Sequence, residues 1–246
     1  TWQLQRPRGF MLHGHWIRTD CATGRLDAGV ERACLANTTL TFAGDSTLLQ
    51  LFTDLIPRTG CTLVESHALH WHRPRACVRA DTGFQMSWAL HGHPHQNQQQ
   101  QQHQHQQPLL LQQQQQFEHL PQKQRHVVLI TLFIHLSIHH MNVFRDRIRA
   151  ARMAVERLLE RSPSTLVVVR GPHTAYYGWS PHLGGDMMGP AMREIIVSEF
   201  RPLRDKVVYL DFWDMTVAME NSNFHPDPAI NTAMLNALLH HVCAKT

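Results

Sequence analysis

Four short segments of the chain are predominantly apolar, and three of them are apolar at nearly every position rather than at alternate ones. They cover residues 39–43, 127–133, 166–169 and 207–210. Strands of this composition need cover on both faces, as strands have in a parallel sheet flanked by helices. The segments between them carry apolar residues at helical spacing. The pattern therefore predicts an α/β fold, a three-layer α/β/α sandwich with a mostly parallel sheet.

Helical segments follow the predicted strands. We expect them at 47–55, 142–161 and 191–200, with a last helix after residue 227. This last helix has Asp227 at the N-cap position and Pro228 in its first turn, and both favour helix initiation. A length of 246 residues suits one sheet-centred unit, so we expect residues 1–246 to form a single domain.

A tract rich in Gln and His interrupts this pattern at residues 91–116. Gln fills positions 98–102 and again 112–116. The tract has too little apolar content to order itself, so we predict a disordered insertion. Its histidines could bind metal loosely, but repeat expansion explains them more simply, and we expect no metal site.

The distribution of charge does not favour a nucleic-acid partner. The formal charge is +4 at pH 7, but the Lys and Arg residues are dispersed and no basic run interleaves with aromatic residues. The longest apolar stretch, residues 127–138, contains polar residues and is too short to span a bilayer. We therefore expect no nucleic-acid binding and no membrane contact from this region.

Gly44, Asp45 and Ser46 lie between a predicted strand and a predicted helix. A sharp strand-to-helix turn exposes a serine oxygen and offers backbone N–H groups to a developing oxyanion. The positive end of the helix dipole favours the same charge. These features make Ser46 a candidate nucleophile. The alternative is that Ser46 is only the N-cap of a helix beginning at Thr47.

His225 is the candidate base that such a serine requires at neutral pH. It lies in the polar turn 221–227, which follows the strand that ends near residue 211. Ligand sites in open α/β sheets gather at the carboxyl ends of the strands, so this turn falls at the same edge as Ser46. We predict a His225 ring nitrogen within hydrogen-bond reach of the Ser46 hydroxyl.

Several motifs together resemble the neurexophilin and PC-esterase family, whose C-terminal domain has a GDSL/SGNH-type esterase-like fold. They are Gly-Asp-Ser-Thr at 44–47, Trp-Asp-Met-Thr-Val-Ala at 213–218 and Asn-Phe-His-Pro at 223–226. Further matches are the lead-in 9–21, Cys34, the helix end at 156–163 and His-Val-Cys at 241–243. The resemblance covers nearly the whole chain.

This resemblance implies that Ser46 is the nucleophile and His225 the general base of an O-acyl esterase or O-acetyltransferase acting on a glycan. Relatives are secretory-pathway proteins, which implies a secreted, Golgi or ER-lumenal location. Hydrolysis requires no cofactor, whereas acetyl-coenzyme A is the candidate donor for transfer, although no donor-binding motif is present. One alternative is a catalytically inactive secreted glycoprotein that acts as a binding or signalling module. Another is an α/β domain whose Ser and His are incidental.

Two positions depart from the pattern of the wider superfamily. Ser222 stands where an Asp usually lies three residues before the histidine. Asp214 is the candidate for the missing acid, preferred over Asp211 because it lies further into the loop and nearer His225. The alternative is that both aspartates only cap a loop or bind structural donors. The usual Gly and Asn donors are also absent, and relatives imply His135 as a substrate-side donor. The alternative for His135 is a buried structural histidine.

The five cysteines, Cys21, Cys34, Cys61, Cys77 and Cys243, lack the paired spacing of zinc ligands. They fit disulfides in an oxidising compartment with one thiol left over, or separate buried thiols in a cytosolic protein. The resemblance implies disulfides that involve Cys21, Cys34 and Cys243 and tie the lead-in or the C-terminus to the domain. Asn37 begins an N-glycosylation acceptor triplet, which adds weight to the oxidising compartment.

One further cluster of ring side chains is a candidate sugar-binding surface. A glycan partner would stack on aromatic rings, and core packing is the alternative role for the same residues. The cluster consists of His67, His70, Trp71 and His72.

Overall fold

The computed structural model of the chain describes residues 2, 4, 8–13, 15–19, 25–64, 74–90, 124–175 and 185–243. The predicted insertion at 91–116 and the ring cluster at 67–72 lie outside these residues. The strands are β1 (Gly9–Leu12), β2 (His15–Arg18), β3 (Thr38–Gly44), β4 (Thr62–Val64), β5 (Arg75–Arg79), β6 (Phe84–Leu90), β7 (Arg125–Ile130), β8 (Leu166–Arg170) and β9 (Val207–Leu210). The α-helices are α1 (Ala28–Leu35), α2 (Ser46–Thr59), α3 (Met141–Arg161), α4 (Gly189–Phe200), α5 (Trp213–Ala218) and α6 (Pro228–Cys243).

A seven-stranded sheet in the order β4-β5-β6-β3-β7-β8-β9 forms the centre of the domain. The five strands from β6 to β9 in this order are parallel, while β4 and β5 pair antiparallel at one edge. The expected α/β fold with a mostly parallel sheet in a single domain is therefore confirmed. The antiparallel edge and the separate β1-β2 hairpin were not predicted.

The two faces of the sheet carry two separate hydrophobic cores. Leu129 and Val168 contribute to the core that includes α2 and α6, whereas Val128 and Val167 contribute to the core that includes α3 and α4. Neighbouring residues of one strand point to opposite faces, so both faces need apolar side chains. This explains why the central strands are apolar at consecutive positions, and it gives the three layers that the sequence predicted.

Strand β7 ends three residues earlier than expected. It stops at Ile130 rather than at residue 133, and a short 3-10 helix, Ile134–Leu136, follows. The Thr131 N–H donates to the Ala43 carbonyl of β3 at 3.1 Å. The Ile134 N–H donates instead to an Asp45 carboxylate oxygen at 3.3 Å. The chain thus leaves the sheet here and contacts the turn that follows β3.

Two disulfides are present in the described residues. Cys34 of α1 is bonded to Cys243 at the end of α6, across a sequence separation of 209 residues, and Cys61 is bonded to Cys77. The expected disulfide between the C-terminus and the body of the domain is therefore confirmed. Cys21 lies outside the described residues.

Membrane-crossing helices are absent from the described part of the chain. None of its helices combines the length and the apolar character that crossing a bilayer needs.

Candidate active site

The turn between β3 and α2 is built around the carboxylate of Asp45. This side chain is buried and caps α2, with Oδ1 accepting from the Thr47 N–H at 3.0 Å and from the Thr47 hydroxyl at 2.6 Å. Ser46 is therefore the first residue of the helix and not its cap. The alternative in which Ser46 serves as the N-cap is wrong, because Asp45 fills that role and leaves the Ser46 hydroxyl free to bind elsewhere.

Close packing fixes the entry to this turn at Gly44. A Cβ atom at this position would lie 2.6 Å from Cγ2 of Thr131 and 2.8 Å from the Thr131 carbonyl oxygen. Such contacts are far shorter than van der Waals distances, so only glycine fits. The position of Ser46 relative to the end of β7 depends on this contact.

The Ser46 hydroxyl lies 3.1 Å from Nε2 of His225. The two residues are separated by 179 positions in the sequence. Ser46 follows β3 directly, and His225 lies in the loop between α5 and α6, so both lie at the carboxyl edge of the parallel sheet. The structure thus brings together the two residues that the sequence singled out.

Backbone carbonyls on both sides of His225 are held by side chains from other elements. The Phe224 carbonyl accepts from Nε2 of His173 at 2.9 Å. The Pro226 carbonyl accepts from Gln50 at 2.7 Å and from Asn231 at 3.0 Å. Although the His225 ring itself is exposed, these bonds fix the backbone that carries it.

The backbone at Ser46 offers a hydrogen-bond donor to negative charge. Thr47, Leu48 and Leu49 donate their N–H groups to Asp45, and no hydrogen bond from the Ser46 N–H is found among the described residues. An uncommitted N–H at the positive end of a helix dipole can donate to an oxyanion that forms beside the serine. The turn therefore offers one donor for such a charge.

Asp214 does not lie behind His225 as the sequence predicted. Its carboxylate accepts from the Arg8 N–H at 3.2 Å and lies 3.7 Å from Nη2 of Arg193. Asp211, the second candidate, is buried and is also paired with Arg193. The reason is local: residues 213–218 form helix α5 rather than loop, and Asp214 in its first turn meets the N-terminal segment.

His225 has no carboxylate partner within the part of the chain that the structure describes. Its ring is hydrogen-bonded to the Ser46 hydroxyl instead. Ser222, three residues before it, is half-buried and carries no charge. The arrangement is therefore a Ser-His pair, and the position of the usual acid is held by a hydroxyl.

His135 is half-buried in the 3-10 helix Ile134–Leu136, which the Ile134 N–H ties to the serine turn. Its role as a substrate-side donor stays a prediction. Asn37 is exposed, with a left-handed backbone (φ 51°), at the start of β3. Within the ranges that the structure covers, no group of three or more His, Cys, Asp or Glu is arranged to hold a metal ion.

Sequence reasoning missed two buried polar residues beneath the site, Arg170 and His173. Their exposed fractions are 1% and 0%. Nη1 of Arg170 donates to the Thr47 hydroxyl at 2.6 Å, and Nη2 lies 3.1 Å from Nδ1 of His173. A signal existed in the sequence, because Arg170 is a charged residue at the carboxyl end of an otherwise apolar strand.

Both residues have strongly shifted pKa values. Burial lowers the pKa of Arg170 to about 10, opposed by the negative charge of Asp45. Burial, and then the positive charge of Arg170, lowers the pKa of His173 to about 3. At neutral pH the guanidinium is therefore charged and the imidazole is neutral.

Comparison with known proteins agrees with this architecture. A bacterial protein from Parabacteroides merdae, described as a GDSL-like lipase, superposes with a TM-score of 0.50 at 13% sequence identity, covering 86% of this chain and 97% of its own. At this identity the likeness shows the fold alone. The sequence profile described as NXPE family member 4-like, C-terminal domain, matches residues 16–243. The chain therefore belongs to the NXPE family, as a C-terminal domain of the member 4-like type.

Proposed function

We propose that this domain is a serine-dependent O-acyl esterase or O-acetyltransferase that acts on carbohydrate hydroxyls. The observation that carries the proposal is the 3.1 Å contact between the Ser46 hydroxyl and Nε2 of His225, at the N-terminus of α2 and at the carboxyl edge of the sheet. The GDSL-like hydrolase fold supports an ester as the substrate. The glycan and the acetyl group follow from the resemblance of the chain to the wider superfamily.

The chemistry begins with attack by the Ser46 oxygen on the ester carbonyl carbon. His225 accepts the hydroxyl proton at Nε2, and the carbonyl oxygen becomes an oxyanion at the N-terminus of α2. The C–O bond to the leaving alcohol then breaks, and that alcohol takes the proton from Nε2. The acyl group remains on Ser46 as an ester.

The second half of the reaction decides between hydrolysis and transfer. Water or a sugar hydroxyl gives its proton to His225 and attacks the acyl-serine, which releases the acid or the acylated sugar and restores Ser46. Transfer needs a donor, for which acetyl-coenzyme A is the candidate. With this donor Ser46 attacks the thioester carbonyl, the C–S bond breaks, and coenzyme A leaves as the thiol with the proton from Nε2 of His225. In either case the same two residues act.

The two disulfides support a place in the secretory pathway, since such bonds persist mainly in oxidising compartments. Exposure of Asn37 is compatible with N-glycosylation there.

A second function, a catalytically inactive glycan-binding module, is favoured by one observation. In the described part of the chain no carboxylate orients His225, and loss of that acid typically costs about 10⁴-fold in rate in serine hydrolases. This alternative predicts a normal fold, retained glycan binding and no covalent reaction at Ser46.

Labelling with a fluorophosphonate probe separates the two functions. We expect wild type to be labelled, Ser46→Ala to lose labelling, and His225→Ala to be labelled at a strongly reduced but still measurable rate. Ser198→Ala is the matched control, because its hydroxyl is bonded within α4 to the Ile195 carbonyl, and it should label like wild type. If wild type and Ser46→Ala react equally, or neither reacts, the nucleophile is refuted.

A further inference from the structure

A continuous series of hydrogen bonds runs beneath the site from the serine turn to the histidine loop. It begins at the Thr47 hydroxyl, which donates to Asp45 at 2.6 Å and accepts from Arg170 at 2.6 Å. Arg170 continues to Nδ1 of His173 at 3.1 Å, and Nε2 of His173 reaches the Phe224 carbonyl at 2.9 Å. The series therefore starts beside Ser46 and ends beside His225.

The direction of these bonds is determined by chemistry. A guanidinium can only donate, so Nδ1 of His173 must be the acceptor. A carbonyl can only accept, so Nε2 of His173 must carry the proton. His173 is thus a neutral imidazole in the Nε2–H tautomer, and Arg170 selects that tautomer.

We propose that Arg170 and His173 are positioning residues that hold the His225 loop at the distance from Ser46 which proton transfer requires. The inference rests on the proposed function, because it assigns these residues to the Ser46–His225 pair. Both act through the Phe224 carbonyl, and neither touches the reacting atoms.

Burial and charge around His173 support this assignment. The groups that act on it are Arg170, Asp45 and His225, and its ring packs edge-on against Phe133 with centroids 5.3 Å apart. Burial and Arg170 lower its pKa to about 3, so it stays neutral throughout the working range of an esterase. A neutral Nε2–H donor is what the Phe224 carbonyl needs.

His225 depends on this support because no acid among the residues that the structure describes orients its ring. In a triad, a carboxylate on Nδ1 holds the imidazole in place. Here the described residues supply backbone tethers instead, with His173 on one side and Gln50 and Asn231 on the other. A displacement of about 1 Å is enough to cost on the order of 10²-fold in rate.

The test uses a double-mutant cycle on the whole domain. His173→Phe keeps a ring but removes both hydrogen bonds, and we expect the second-order rate of fluorophosphonate labelling to fall by about 10²-fold. In the His225→Ala background the same change should add less than about twofold, because the effect passes through His225. His173→Gln, which retains a donor, should keep most of the rate even where His173→Phe folds poorly.

His126→Phe is the matched control. His126 is also buried, but it lies at the start of β7, at the amino ends of the parallel strands and therefore away from the candidate site. We expect this change to lower stability without changing the labelling rate of the folded fraction. An equal loss from His173→Phe with and without His225 would overturn the inference, because the residue would then act on the fold or on Ser46.

If wild type is not labelled, the proposed function is refuted, but the positioning role of His173 can still be tested by a measurement that does not depend on activity. Nitrogen-15 spectra of the histidines should show His173 as the Nε2–H tautomer with no titration between pH 5 and pH 8. The His225 signals should move in His173→Phe and stay in place in His126→Phe. An Nδ1–H tautomer for His173, or unmoved His225 signals, would overturn the positioning role.

Discussion

Placing an acid three residues before His225 should strengthen the site. Ser222 holds the position where the superfamily usually carries an Asp, and His225 has no carboxylate partner among the described residues. Ser222→Asp would supply an acceptor for the Nδ1–H of His225 and stabilise the imidazolium that forms as Ser46 attacks.

The size of the effect follows from the exposure of the ring. A hydrogen bond to a charged group contributes about 1.5–3 kcal/mol, and the lower end applies because His225 is exposed. About 1.4 kcal/mol corresponds to tenfold in rate, so we expect roughly tenfold faster labelling. The carboxylate also favours the imidazolium, so half-maximal labelling should move to higher pH than in wild type.

The assay is the second-order rate constant of fluorophosphonate labelling as a function of pH, with Ser222→Asn as the uncharged control of the same size. Both variants should unfold at the urea concentration of wild type, because the side chain is only half-buried. If Ser222→Asp is labelled no faster than Ser222→Asn, the reasoning that His225 is a general base without an orienting acid is refuted.

Four other changes test separate parts of the account. Asp214→Asn should leave the labelling rate within about twofold, because this carboxylate accepts from the Arg8 backbone N–H and lies beside the Arg193 guanidinium. A loss of about 10⁴-fold would make Asp214 the triad acid. Gly44→Ala should cost about 1–3 kcal/mol in urea unfolding and abolish labelling, because the added methyl group meets the end of β7. Replacing Cys34 and Cys243 together by Ser should cost about 5 kcal/mol in the same assay, more than loss of the shorter disulfide loop, since longer closed loops restrict the unfolded chain more. The pKa of His173 is lowered to about 3 in the folded state, so the folded chain does not bind a proton that the unfolded chain binds below pH 6.5. The unfolding free energy should therefore fall by up to about 1.4 kcal/mol per pH unit from pH 6.5 downwards, and His173→Gln should flatten this slope.

The parallel part of the sheet could be predicted because its physical cause is local. Strands such as β8 are buried on both faces, and burial of both faces requires apolar residues at consecutive positions, which the sequence shows directly. The antiparallel edge could not be predicted in the same way. All three residues of β4 are exposed, and β5 mixes exposed and buried positions, so no apolar run marks them.

The candidate site shows a second limit of sequence reasoning. Asp and Ser cap helices about equally well, so the sequence alone could not decide between Asp45 and Ser46 as the cap of α2. The structure decides it through the Asp45 bonds to Thr47. Similarly, the partners of Asp214 come from Arg8 and Arg193, which are remote in sequence and meet it only in the folded chain.

The most direct test of the central claim is to locate the covalent product. After reaction with a fluorophosphonate, intact mass should show one adduct per chain, and peptide mapping should place it on Ser46. The rate should collapse in His225→Ala while its unfolding curve stays close to that of wild type, because the ring is exposed. An adduct on any other residue, or an unchanged rate in His225→Ala, would contradict the account of Ser46 as the nucleophile and His225 as its base.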